Sequence, residues 1–160
     1  MKVYIRGHRV GNGFIGKFIG WFTWGWFKHV SMAFVQDNGT VRGFQSNSKH
    51  GVHFFRWEDL PDTDLYEVPC NNEQAYSMLD AAKKIAGAGY DHAGLWSFFI
   101  RKKRENPGKW FCSEAVAWIC YKGGVPLHRL PAWKQSPVLV CASAVLIPRT
   151  GLKLQKHKPE

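Results

Sequence analysis

Residues 111–120 read FCSEAVAWIC, from Phe111 to Cys120. Ala115, Val116, Ile119 and Cys120 recur at spacings of one, four and five, the signature of one face of a helix. That periodicity places Cys112 at the first turn. Unpaired backbone N–H groups and the positive end of the helix dipole favour a thiolate there and lower a cysteine's pKa. A thiolate needs a base or ion-pair partner, and His29 is the upstream candidate.

Working outward, Gly123-Gly124 stops the helix near Lys122. A Pro-rich connection then leads to an expected last strand, residues 138–147. Upstream, His29, Ser31, Ala33 and Val35 alternate with Val30, Met32 and Phe34, which predicts a strand. Asp37-Asn38-Gly39 is a hairpin turn signal, with a returning strand over 40–46 and a third over 52–56. Residues 2–6 and 66–68 read as further short strands, and 13–22 as a short helix. Asn71 or Asn72 caps a helix running to about Ala86, with Ala75, Met78, Leu79, Ala82 and Ile85 on its buried face. Strands first, then helices, then a strand again suggest an α+β domain with an antiparallel sheet. Residues 1–150 read as one domain and 151–160 as a basic tail.

The chain has 160 residues, 45% hydrophobic and 15% aromatic, which argues for a packed globule rather than disorder. Its four cysteines show no close metal-ligand pairing, so free thiols and a cytoplasmic start are expected. The formal charge of +10 is uneven: residues 1–80 are balanced, and 81–160 carry fourteen basic and four acidic residues. The densest cluster is Arg101-Lys102-Lys103-Arg104, a solvated loop or a contact for an anionic surface. No apolar run reaches the roughly 18 residues of a spanning helix. Phe14, Phe18, Trp21, Phe22, Trp24, Trp26 and Phe27 cluster where a membrane interface, a core or a substrate groove would each use them.

Three segments carry a resemblance. They are Lys28-His29-Val30-Ser31, Gly89-Tyr90-Asp91-His92-Ala93-Gly94-Leu95, and Lys109-Trp110-Phe111-Cys112-Ser113-Glu114. Together they resemble the circularly permuted NlpC-type papain-like cysteine hydrolases, the YiiX/YaeF-like group, including versions carried by phages. The resemblance spans roughly residues 20–125. It implies a permuted papain-like fold with the nucleophile at a helix N-terminus and the catalytic order reversed. Cys112 is then the nucleophile, His29 the base, and a polar residue from the next strand orients the imidazole. Many relatives carry an acid at that step. Here the step is Phe44-Gln45-Ser46, which gives Gln45 the position, with Ser46 second. A two-residue turn at Asn38-Gly39 would instead put Ser46 on the face of His29, and a bulge or three-residue loop would reverse that parity.

The chemistry expected is acyl transfer through a Cys112 thioester with His29 as base. Peptide or peptidoglycan-like amides are the leading substrates. A lipid-directed acyl hydrolase or acyltransferase, as in related folds of the lecithin-retinol acyltransferase type, is the second reading. A non-enzymatic binding protein using residues 101–104 is the third; nucleic acid is not the expected partner. His29, His50, His53 and Cys112 show no helical His spacing and no CxxC pair, so no metal or cofactor is expected. His50 and His53 read as solvent-facing. Cys120, about 12 Å along the helix from Cys112, reads as core, as do Cys70 and Cys141.

Overall fold

Alternation along the second strand sets the layers. Val30, Met32 and Phe34 are fully buried in the larger apolar cluster, while Ala33 belongs to a smaller cluster with Tyr4 and Trp57. The strand therefore has two unlike faces, one toward the helices and one away from them. The computed structural model describes residues 1–9, 27–91 and 108–154. The expected helix over 13–22, the aromatic cluster up to Trp26 and the basic run 101–104 lie outside the described residues.

The strands are β1 (Lys2–Arg9), β2 (Phe27–Val35), β3 (Val41–Asn47), β4 (Gly51–Arg56), β5 (Thr63–Val68) and, later, β8 (Ile147–Pro148). They form one sheet in the order β4-β3-β2-β1-β5-β8, with every pairing antiparallel. Between β5 and β8 run α1 (Asn72–Ile85), the two-residue strands β6 (Gly89–Tyr90) and β7 (Lys109–Trp110), α2 (Cys112–Lys122), a 3-10 turn (Ala132–Lys134) and α3 (Pro137–Cys141). The result is an α+β architecture with an antiparallel sheet packed against helices. Among the described residues no helix is long and apolar enough to cross a membrane.

Helix α1 begins as its sequence demands. Asn71 accepts from Gln74 N–H, and Gln74 reaches back to the Asn71 N–H, a complete capping box. Its buried face contains the expected Ala75, Met78, Leu79, Ala82 and Ile85, with Ala81 added. Burying an apolar side chain of the Met or Leu class stabilises by about 1.5–3 kcal/mol, so this face fixes α1 against the Cys112 helix and β1.

Two expectations change. The stretch 138–147 is not a strand: α3 occupies Pro137–Cys141, and only Ile147–Pro148 pairs. Ser136 accepts from Leu139 N–H and Pro137 stands in the first turn, a start signal that outweighs the β-branched pattern behind it. The hairpin between β2 and β3 is not a two-residue turn. Gln36 N–H donates to the Thr40 carbonyl at 2.9 Å, and Gly39 N–H to the Gln36 carbonyl at 2.9 Å. These bonds enclose three residues, Asp37-Asn38-Gly39. Gly39 takes φ +82°, the left-handed conformation that a three-residue loop needs at its last position. Met32 consequently faces Phe44, not Gln45.

Candidate active site

The odd loop length decides which side chain meets His29. Register extended from Met32 and Phe44 sets Ser31 against Gln45, so Gln45 and His29 share a face, one step apart on the diagonal. His29 Nε2 lies 2.9 Å from Gln45 Oε1. Ser46 points the other way and donates to the Trp110 carbonyl at 2.6 Å. The two residues left open by the sequence thus have separate places. Gln45 contacts the imidazole; Ser46 ties β3 to the segment that leads into Cys112. Asp91 N–H reaches the same Trp110 carbonyl at 3.2 Å.

Cys112 is the first residue of α2 and is 5% exposed. Ser113, next to it, donates to the Gln135 carbonyl at 2.5 Å and anchors the helix start to the 3-10 segment. The Cys112 thiol lies beside the His29 imidazole, close enough for each to act on the other's charge. Because Gln45 occupies Nε2, Nδ1 is the ring nitrogen left for the sulfur. Burial alone would push the Cys112 thiol up, but the adjacent His29 and backbone bonds from Val30 and Ser113 hold it below its ordinary value. Burial pulls His29 down, while the Cys112 charge and the bonds to Cys112 and Gln45 outweigh it and raise the ring above its ordinary value. The pair is thereby biased toward thiolate and imidazolium.

Polar residues that the sequence did not single out surround this dyad. His8 on β1 stands directly opposite His29, ring centroids 5.0 Å apart. Burial, then the charges of His29, Arg6 and Lys28, push His8 down to about 3, so it stays a neutral neighbour. Its Nε2 lies 3.1 Å from Ser31 Oγ. Arg6, 3% exposed, donates to Ser31 Oγ at 3.3 Å and to the Glu58 carbonyl at 2.5 Å, and packs over Trp57 at 3.8 Å. Tyr90 sits near enough to Cys112 that its phenol is pushed up, by burial first and then by the Cys112 charge. His53 is not solvent-facing as expected: on β4, opposite Gln45, its Nε2 lies 3.3 Å from Gln45 Nε2. A part-buried histidine and an exposed one look alike in sequence. Only the β3–β4 register tells them apart.

Cys120 and Cys141 are buried and their thiols are driven up by that burial; Cys70 is half-buried and also raised. Among the described residues no group of three His, Cys, Asp or Glu is placed to hold a metal ion.

No family model matches the chain, and no curated protein matches its sequence. Among solved structures the chain is similar to the metalloprotein YiiX from Escherichia coli O157:H7, with a TM-score of 0.66 at 15% identity over 94% of this chain and 96% of that one. At that identity the likeness is one of fold: the chain has a YiiX-like α+β fold.

Proposed function

We propose that the protein is a cysteine hydrolase of the amidase or peptidase type on a permuted papain-like fold, with Cys112 as nucleophile, His29 as base and Gln45 as the residue that orients the imidazole. The observation that carries this reading is the Cys112 thiol, at the start of a helix, beside the His29 ring whose Nε2 lies 2.9 Å from Gln45 Oε1. In this mechanism the Cys112 thiolate attacks the carbonyl carbon of an amide. The developing oxyanion takes the Cys112 backbone N–H, which, in the first turn, has no carbonyl of a preceding turn to bind. The C–N bond breaks, and the His29 imidazolium gives its proton to the departing amine. Water, deprotonated by the now neutral His29, cleaves the thioester and restores the thiolate. A neutral amide holds the imidazole in one tautomer but stabilises its cationic form less than a carboxylate would.

The described residues of this site do not make up a set of metal ligands. YiiX is described as a metalloprotein. In this chain His29 Nε2 is engaged by Gln45, and both ring nitrogens of His53 by Gln45 and the Gly51 carbonyl. With no three-ligand group among the described residues, no step is routed through a metal.

The test is a thiol-directed electrophile together with amide, ester and thioester substrates on the full chain. The expected result is labelling of Cys112 and turnover of amides, both lost in Cys112→Ala. Labelling that survives in that variant sinks the assignment. Turnover confined to lipid esters would move the protein to the acyl-lipid class.

A further inference from the structure

We propose that His53 is a positioning residue that fixes the direction of the Gln45 amide and thereby assigns His29 the tautomer with its lone pair toward Cys112. This rests on the dyad reading above and deepens it.

The inference starts from a group whose role is fixed. The Gly51 carbonyl can only accept, and His53 Nδ1 lies 3.0 Å from it. Nδ1 of His53 therefore carries the proton, and in the neutral ring Nε2 is an acceptor. Gln45 Nε2, at 3.3 Å from it, then donates. The amide's other end, Oε1, must face His29, where it lies 2.9 Å from Nε2. A carbonyl oxygen can only accept, so His29 carries a proton on Nε2, and in the neutral ring Nδ1 is bare to take the thiol proton and form the imidazolium.

Gln45 needs such a partner because its two ends have nearly the same shape. A carboxylate would accept through either oxygen. A reversed amide would present NH₂ to His29 Nε2, leave the neutral ring no lone pair with which to take the thiol proton, and repel the Nε2–H of the imidazolium. His53 reads the far end of the amide and makes that reversal costly.

The anchor is built to stay still. Gln45 and His53 face each other directly across the β3–β4 ladder. Gly51 takes φ +65°, and a side chain there would run into the Ala88 carbonyl, so only glycine fits. Val52 N–H donates to the Ala88 carbonyl and Gly87 N–H to the Val52 carbonyl, each at 2.8 Å, which pins the start of β4. His53 itself packs beside His50 and Phe55, at ring distances of 5.4 and 6.3 Å.

The experiment follows iodoacetamide alkylation of Cys112 against pH in the full chain, for wild type, His29→Ala, His53→Phe and His53→Gln. Unfolding midpoints are measured for all four. His53→Phe, which cannot accept from the amide, should lower the alkylation rate near pH 6 by about three- to tenfold, the worth of one hydrogen bond. His53→Gln, whose carbonyl can accept, should restore most of it. A wild-type profile in His53→Phe, with His29→Ala shifted, overturns the role of His53 and leaves the dyad standing. No shift in His29→Ala overturns the dyad and this inference with it. Equal losses in both His53 variants, tracking their stability, mean a structural role only and also overturn it. Nitrogen-15 NMR of His29 in Cys112→Ala, on the alkaline side of its titration, supplies a reading that needs no His53 variant and reports the tautomer that Gln45 sets. Protonated Nε2 is expected, and protonated Nδ1 overturns the proposal.

Discussion

The two ends of helix α2 each bury a cysteine, and the two thiols go opposite ways. Cys112 in the first turn is 5% exposed and Cys120 in the third is fully buried. Burial is the largest influence on both, and by itself it drives a thiol upward, because the charged form loses its hydration. Cys120 follows that rule, with only the Cys70 charge added, in the same direction. Cys112 does not, because His29 and a backbone bond from Val30 reach it from outside the helix, and Ser113 in its own first turn adds a second. The lesson is that a helix N-terminus alone does not make a reactive cysteine. A cation has to be delivered from another element, here β2, and held there by β3.

The widest break in this comparison is Cys112→Ala. It removes the proposed nucleophile, and any hydrolysis should fall by about a thousandfold or more, to the level that binding and oxyanion contacts sustain. Mass mapping of alkylated peptides should then find none of the remaining cysteines reactive near neutral pH. His29→Ala comes next, since it makes the first turn resemble the third. Thiolate at Cys112 exists above the thiol's lowered pKa, so wild type should alkylate well at pH values where an ordinary thiol is protonated. Without His29 the burial effect is opposed only by the Val30 and Ser113 backbone bonds, the profile should move to higher pH, and the rate near pH 6 should drop by about a hundredfold.

Gln45→Leu should have a smaller effect, about tenfold on the same rate, because the imidazole stays but loses its orienting bond. A loss as large as that of His29→Ala would mean that Gln45 does more than orient. The smallest effect on reactivity belongs to Cys120→Ser, which should leave the alkylation profile of Cys112 unchanged. Its cost falls on stability instead: a hydroxyl without a partner in that apolar setting costs about 1–3 kcal/mol, read from the urea midpoint. A shifted Cys112 profile in Cys120→Ser would show that the two ends of the helix are coupled.

Helix α2 and strand β2 were legible because their apolar periods are long and uninterrupted; each is stabilised locally by its own spacing of buried side chains. So was α1, whose Asn71 and Gln74 cap is written in adjacent residues. The stretch over 138–147 misled for the opposite reason. Its β-branched residues suit a strand, but Ser136 and Pro137 start a helix whose Val140 and Cys141 are buried against the sheet.

What the sequence determined by itself was the α+β class, the helix that begins at Cys112, the strand that carries His29 and the two candidates, Gln45 and Ser46, for the next strand. Choosing between those two was beyond it. A strand's faces alternate with every residue, so one residue more or less in the Asp37-Asn38-Gly39 loop exchanges them, and both loop lengths suit the same sequence. Tertiary structure made that choice through the Gln36–Thr40 pair. It also brought His53, His8 and Arg6 around the dyad, from strands whose residues carry no mark of such company. Contacts across a sheet depend on register, and register is a property of the assembled sheet rather than of any single strand.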